Sequence, residues 1–202
     1  MATATHAAPA HAPEGHTSTG INNTKLGMWA FLGSECLFFG ALISTYLIYR
    51  GRSGEGPFPS DVYDIPFTSV SSFVLLMSSM SMVLAVAAIT RGDERRMRIW
   101  LVTTALLGMV FIGGQIFEFT EFARAGLKLD TNLFGSSFFV LTGFHGVHVT
   151  VGILWLLSLV GFSFRRGIGQ EKALAVDIAG LYWHFVDVVW IIIFTVIYLV
   201  PE

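Results

Sequence analysis

The sequence has few charged residues and almost no cysteine. Asp, Glu, Lys and Arg make up 13% of the 202 residues, about half of the roughly 25% found in soluble globular proteins. Water is therefore not expected to surround most of the chain. The net charge of −2 argues against a nucleic-acid-binding protein, which would carry a basic stripe. The single cysteine, Cys36, excludes an internal disulfide framework and any zinc or iron–sulfur site built from several cysteines.

Apolar residues, in contrast, are abundant and occur in long runs. They account for 53% of the sequence, and one membrane crossing requires about 20 of them. Segments of this length exclude a barrel, whose strands need only about ten residues of alternating polarity. Because a helix satisfies its own backbone in hydrocarbon, we predict an all-α membrane protein, a five-transmembrane-helix bundle occupying residues 24–202. The predicted spans are 26–49, 69–90, 99–123, 134–163 and 177–200.

The two ends of these spans differ in basic residues. Residues 1–23, rich in His, Ala and Pro, lack the apolar surface needed to offset ordering and are predicted to form a disordered tail. Cytoplasmic flanks carry the excess of Lys and Arg, which predicts a cytoplasmic amino terminus and an outside, periplasmic carboxyl terminus. The amino-terminal side holds eight basic residues, Lys25, Arg91, Arg95, Arg96, Arg98, Arg165, Arg166 and Lys172, and the opposite side four, Arg50, Arg52, Arg124 and Lys128.

A small group of polar residues falls inside the predicted spans. Such residues are costly in hydrocarbon unless they are paired or neutralised, so they mark structural or functional sites. Several occur three residues apart, which places both members of a pair on one helix face, expected to point into the bundle. The residues singled out are Glu35, Glu118, His145, His148, His184 and Asp187.

The spacing of these residues leaves three interpretations open. Glu-x-x-Glu, His-x-x-His and His-x-x-Asp on facing helices resemble the inward ligands of bundle metalloproteins, although the Glu-x-x-His pairs of di-iron bundles are missing. Acids and histidines strung across a membrane can also form a proton relay. The third interpretation is a buried polar network that joins the helices through hydrogen bonds.

Four segments taken together resemble subunit III of the haem–copper terminal oxidases, in the order and spacing of that family. The resemblance covers residues from about 25 to 200 and is closest to the short, five-helix bacterial form of cytochrome c oxidase subunit III. The segments are WAFLGSECLFF, GQIFEFTEF, GSSFFVLTGFHGVHVTVG and YWHFVDVVWIIIFTVIYLV.

The resemblance implies a non-catalytic core subunit. No residue of this chain is then catalytic or a metal ligand; haem and copper belong to partner subunits, and subunit I reduces oxygen and translocates protons. Subunit III packs on subunit I, binds phospholipid and supports stability and proton uptake. The matching residues would form a buried polar network beside a lipid cleft: Glu35, Glu118, His145, His148, His184 and Asp187.

The five spans are two fewer than in the longer members of the family. The lipid cleft of those members lies between the two missing helices and the other five, so extra helices of subunit I are expected to complete it.

The resulting interpretation is subunit III of an aerobic cytochrome c oxidase in the bacterial plasma membrane. Its expected partners are subunits I and II and membrane phospholipids, with respiratory supercomplex membership left open and no nucleic acid. A quinol oxidase is the alternative within the family. A stand-alone intramembrane metalloenzyme and a proton-conducting bundle are the alternatives from other classes.

Overall fold

The computed structural model describes residues 22–50, 64–166 and 173–200. Five helices in these ranges are long and apolar enough to cross a membrane, which confirms the predicted all-helical, five-span architecture. Residues 1–21, most of the predicted tail, lie outside the described residues. The helices are α1 (Asn23–Tyr49), α2 (Ile65–Thr90), α3 (Glu94–Arg124), α4 (Leu133–Arg166) and α5 (Ala173–Phe194), and a π-helical turn, Thr195–Leu199, continues α5.

Short polar side chains start several of these helices. The side chain of Asn22 accepts a hydrogen bond from the backbone N–H of Thr24 at 2.9 Å, and Asp93 accepts one from Arg96 at 2.9 Å. These contacts satisfy amide groups that the first turn of a helix leaves without intrahelical partners. At the end of α2, Gly92 has a φ of +78°, which glycine adopts without the steric cost of a Cβ. The tight turn at Gly92 reverses the chain between α2 and α3.

Helix α5 is the most buried helix and α1 the least. In their apolar stretches, 50% of the residues of α5 are buried, compared with 17% in α1. Helix α5 packs against α1, α2 and α4, whereas α3 packs against α2 and α4. Helix α1 contacts α4 and α5. The bundle is therefore arranged around α5, with α1 on its periphery.

The indole of Trp183 joins four helices near the middle of the bundle. It extends from α5 between Gly108 of α3 and Gly152 of α4, where a Cβ would lie 2.7 Å and 2.8 Å from ring atoms. Its N–H donates to the hydroxyl of Ser78 on α2 at 2.9 Å. Trp183 is 1% exposed. The two glycines therefore provide the space that the ring occupies.

Replacing Gly108 by alanine should destabilise the bundle by about 1–3 kcal/mol, because the new methyl group overlaps a rigid ring. The matched control in the same helix is Gly113→Ala, where a Cβ meets nothing within 4 Å. That substitution should be neutral or stabilising, since alanine favours helix. The free energy of unfolding in mixed detergent micelles measures both. Equal stability of the two variants would contradict the packing described for Trp183.

Candidate functional site

The six polar residues singled out in the sequence lie in four places in the bundle. Glu35 and His148 contact each other, whereas His145, one turn away on α4, lies in an aromatic core. Asp187 and His184 share the α2–α5 interface with Ser79. The remaining acid, Glu118, is hydrogen-bonded near the carboxyl-terminal end of the chain.

Glu35 and His148 form a polar pair between α1 and α4. His148 Nε2 lies 3.2 Å from Glu35 Oε2, and both side chains are half-buried. The other ring nitrogen, Nδ1, donates to the carbonyl of Phe144 at 2.7 Å, because a carbonyl only accepts. A neutral ring protonated at Nδ1 has no proton on Nε2.

The contact between Nε2 and Oε2 requires one hydrogen between the two atoms. Glu35 and His148 therefore join α1 to α4 through a side-chain hydrogen bond. A paired polar group costs less at bilayer depth than an unpaired one.

An apolar groove runs beside this pair. A concavity of about 460 Å³ is lined by Glu35, His148, Phe31 and Trp155 among others. A larger one of about 820 Å³ shares Phe31 and Trp155 and extends between α1, α4 and α5. Nearly all of the lining of the larger concavity is apolar. Its lining residues are Thr24, Gly27, Met28, Phe31, Trp155, Leu159, Phe162, Leu174, Ala175 and Ile178. The groove has the surface chemistry of a site for a hydrocarbon chain.

His145 lies among aromatic rings, away from the groove. Its imidazole stacks on the indole of Trp190, with 4.9 Å between ring centroids and an interplanar angle of 25°. Phe111 meets it edge-on at 6.0 Å. The side chain is fully buried, and neither ring nitrogen has a hydrogen-bond partner among the described residues. His145 therefore serves the packing of α4 against α3 and α5.

The α2–α5 interface contains the second histidine environment. His184 Nδ1 and the Ser79 hydroxyl are 2.8 Å apart. The hydroxyl also lies close to Asp187, although neither carboxyl oxygen is in hydrogen-bonding geometry with any described residue. Asp187 is 3% exposed. One serine thus separates a histidine and an acid that lie one turn apart on α5.

Glu118 joins the helix ends on the side of the carboxyl terminus. Its Oε1 accepts from the hydroxyl of Thr68 on α2 at 2.6 Å and from that of Tyr198 at 3.0 Å. Arg50, at the end of α1, donates to the backbone carbonyl of Val200. These contacts fasten the π-helical turn to α1, α2 and α3.

The arrangement does not bring the acids and histidines to one ligand site. Among the described residues, no three His, Cys, Asp or Glu side chains converge as metal ligands would. The His-x-x-His pair diverges, because His148 faces Glu35 while the ring of His145 stacks on Trp190. The arrangement can hold helices together through local hydrogen bonds, among them the one between Glu35 and His148.

Comparison with known proteins gives a match over almost the whole chain. The family model described as "Cytochrome c oxidase subunit III" matches residues 8–201. The chain belongs to the cytochrome c oxidase subunit III family. This confirms the resemblance drawn from the four sequence segments.

Members of the subunit III family with either of two names are similar to this chain. Cytochrome c oxidase subunit 3 of Bacillus sp. (strain PS3) is 39% identical over 93% of this chain and 91% of its own length. Quinol oxidase subunit 3 of Bacillus subtilis is 40% identical over 86% of this chain and 85% of its own length. The probable quinol oxidase subunit 3 of Staphylococcus saprophyticus is 39% identical over 89% of this chain and 90% of its own length. Subunit III of a terminal oxidase is therefore the function these relatives share.

Sequence reasoning missed the serines of this subunit III as specific partners. Ser72 accepts from Trp190 and Ser78 from Trp183, each at 2.9 Å, while Ser79 contacts His184. Ser72 and Ser79 are seven residues apart, which places them on one face of α2 two turns apart. The serines recur on one face of α2, and the Trp and His residues of α5 can form hydrogen bonds with them. This pattern is the sequence signal that could have identified the α2–α5 interface.

Replacing Glu35 by leucine should destabilise this subunit III by about 1–3 kcal/mol, because His148 Nε2 loses its partner in a half-buried position. Glu35→Gln should cost less, since the amide N–H can donate to that nitrogen. Unfolding by SDS in mixed micelles measures the free energy.

A double-mutant cycle tests the same contact. Glu35→Leu combined with His148→Leu should show a coupling of about 0.5–3 kcal/mol. Glu35→Leu with Ser81→Ala, a residue that bonds Thr104 on the other side of the bundle, should be additive. Additive behaviour of Glu35 and His148 would rule out the pair.

Loss of the Thr68 hydroxyl in Thr68→Val should cost about 1–3 kcal/mol, because it removes a hydrogen bond to a buried carboxyl group. Amide hydrogen exchange in Thr195–Leu199 should also accelerate, since Glu118 anchors that turn through Tyr198. Thr120→Val is the control, because the Thr120 hydroxyl bonds its own helix at an exposed position. Unchanged exchange in Thr68→Val would show that Glu118 does not fasten the turn.

Proposed function

We propose that this chain is a non-catalytic core subunit III of an aerobic haem–copper cytochrome c oxidase in a bacterial plasma membrane. Haem and copper are held by partner subunits, and the chain packs on the subunit that reduces oxygen. The observation that carries the proposal is the family match over residues 8–201 on a five-helix bundle. The role of the chain is to maintain the structure and proton uptake of the catalytic subunit, rather than to perform redox chemistry.

The distribution of titratable groups supports a role without a metal centre in this chain. Both ring nitrogens of His148 have partners, and His145 is packed between aromatic rings. Glu118 accepts two hydrogen bonds from its own bundle. These side chains stabilise helix contacts in their present positions. They would have to leave those contacts to form a common ligand set.

The apolar groove supports phospholipid binding by the chain. The groove is open along α1, α4 and α5. Its two concavities join where they share the lining residues Met28, Phe31 and Trp155. Lys25, next to the lining residue Thr24, forms an ion pair with Asp177 at 2.5 Å. An acyl chain would lie in the groove with its headgroup near this charged end. Extra helices of the catalytic subunit would close the exposed side of α1.

The positions of the helix ends support an amino terminus in the cytoplasm. The Lys25–Asp177 ion pair places the starts of α1 and α5 together. The bond from Arg98 to Ser163 at 2.6 Å joins the start of α3 to the end of α4. This is the end of the bundle with the larger number of basic residues, which favour the cytoplasmic side.

The relatives also bear on the electron donor. The cytochrome c oxidase subunit of strain PS3 aligns over 93% of the chain, a larger share than the 86% aligned with the Bacillus subtilis quinol oxidase subunit. The identities are nearly equal, 39% and 40%, so both donors occur among the relatives and cytochrome c is our proposal. Quinol is the alternative that experiment must distinguish.

Purification of the complex from its native membrane through a tag on this chain should recover larger membrane subunits and haem absorbance. The complex should consume oxygen with reduced cytochrome c as donor. Oxygen consumption with quinol alone would assign the complex to the quinol branch. Recovery of the chain without haem or larger subunits would refute the assignment to a terminal oxidase.

A further inference from the structure

The apolar groove contains a carboxyl oxygen that the bundle does not pair. Glu35, near the middle of α1, lines the concavity of about 460 Å³. Its Oε2 contacts His148 Nε2, whereas Oε1 makes no hydrogen bond with the described residues. An unpaired polar atom is costly in hydrocarbon. We call the part of the groove lined by Glu35, His148, Tyr182, Val147 and Val151 the inner end.

The partner that suits Glu35 Oε1 is a hydrogen-bond donor. One hydrogen lies between Oε2 and His148 Nε2, so Oε1 presents lone pairs whichever of those two atoms carries the hydrogen. The neighbouring donors are used within the bundle. His148 Nδ1 donates to the carbonyl of Phe144 at 2.7 Å, and the Tyr182 hydroxyl donates to the carbonyl of His148 at 2.9 Å. The polar groups of the inner end therefore offer acceptors to a ligand that donates.

The inner end lies too deep for a phospholipid headgroup. The charged end of the groove is at Thr24, beside the ion pair of Lys25 and Asp177. Glu35 lies about 16 Å further along α1, at 1.5 Å per residue, and half of the hydrocarbon core of a bilayer is about 15 Å. A phospholipid with its headgroup at the ion pair brings methylene groups to Glu35, and these donate no hydrogen bond. Water is also scarce at this depth.

The walls of the inner end suit a neutral, mostly apolar ligand. The rings of Phe31 and Tyr182 stack with 6.4 Å between centroids, and the ring of Trp155 lies 5.6 Å from that of Tyr182. Val147 and Val151, both exposed, continue the lining along α4. A charged donor such as an ammonium is costly here. An amide brings a carbonyl for which the polar groups of the inner end have no donor left. A hydroxyl donates without charge.

We infer that the inner end binds a neutral, hydroxyl-bearing lipid, whose hydroxyl donates to Glu35 Oε1 and whose hydrocarbon part lies against Phe31, Val147 and Val151. Two kinds of lipid have this chemistry, a hydroquinone with a hydrocarbon tail and a long-chain alcohol. The inference rests on the lipid groove of the proposed function, to which it adds a second class of ligand. Phospholipid acyl chains keep the larger concavity at the charged end.

Photolabelling of the intact complex, purified through a tag on this chain, tests the site. The probes are hexadecanol and a decyl hydroquinone, each with a diazirine in its hydrocarbon chain, under anaerobic and reducing conditions. Each is compared with its methyl ether, in which no hydroxyl remains. The hydroxyl probes should label the inner end with half-saturation at a concentration about tenfold lower than the ethers, the factor expected for one hydrogen bond. Equal half-saturation of probes and ethers overturns the inference.

The two probes also distinguish the sources of the hydroxyl. Half-saturation at a lower concentration of the hydroquinone supports a phenolic headgroup against the rings of Phe31 and Tyr182. The reverse order supports a linear alcohol. Either order, with the ethers weaker, supports the inference.

Haem absorbance of the same sample reports on the proposed function separately. Hydroxyl-dependent labelling in a complex without haem refutes the terminal oxidase and supports the site. A complex that contains haem but shows no preference for the hydroxyl overturns the inference and leaves the proposed function standing.

Substitutions of Glu35 test the hydrogen bond. Glu35→Leu should abolish the preference for the hydroxyl probes. Glu35→Gln should retain it, because the amide N–H can donate to His148 Nε2 while the amide oxygen still accepts from the ligand. A preference that persists in Glu35→Leu overturns the inference.

A second pair of variants keeps the test valid if Glu35→Leu does not assemble. Val151 lines the inner end and is 50% exposed, so Val151→Phe should fill the site without disturbing the core and should block labelling by both probes. Leu154→Phe is the matched control, since Leu154 is 63% exposed on the same helix and lines neither concavity. Its labelling should equal that of the wild type. Undiminished labelling of the inner end in Val151→Phe overturns the inference.

Discussion

The position of Trp183 is the constraint on which the bundle depends. In hydrocarbon, helices gain little by hiding apolar surface from one another, so close packing and interhelical hydrogen bonds must hold them together. Trp183 provides both, since its ring fills the space over Gly108 and Gly152 and its N–H reaches Ser78. A single side chain of α5 therefore sets the distances to α2, α3 and α4. Helix α1 has no part in this contact and is correspondingly less buried.

Polar side chains at the interface between α2 and α5 supply such interhelical hydrogen bonds. Indole N–H groups of α5 donate to serine hydroxyls of α2, and those hydroxyls in turn donate to carbonyls of their own helix, as Ser72 and Ser78 do. Each hydroxyl thus uses both its proton and a lone pair. Ser79 differs, because its hydrogen-bond partner among the described residues is His184 rather than a backbone carbonyl. At this interface both indole N–H groups have hydrogen-bond partners, whereas His184 has a partner among the described residues for one of its two ring nitrogens.

Much of the fold could be predicted from the sequence, because length and composition alone require helices in a membrane. The contacts of the polar residues could not. The spacing of His145 and His148 shows that they share a face, but not that the ring of one stacks on Trp190 while the other reaches Glu35. The partner of each side chain depends on how neighbouring helices are rotated and shifted along their axes, and no residue pattern within one helix determines this. The same holds for Glu118, whose partner Tyr198 lies 80 residues away.

The two histidine contacts near the middle of the bundle use their hydrogen-bonding groups differently. His148 has a partner for each ring nitrogen, Phe144 and Glu35, and borders the apolar groove. His184 uses Nδ1 with Ser79, whose hydroxyl can accept from the imidazole and direct its own proton towards Asp187. Each histidine therefore joins its helix to a different neighbour, α4 to α1 at His148 and α5 to α2 at His184. Because the two contacts lie on different helix interfaces, they stabilise the bundle separately and do not form one polar site.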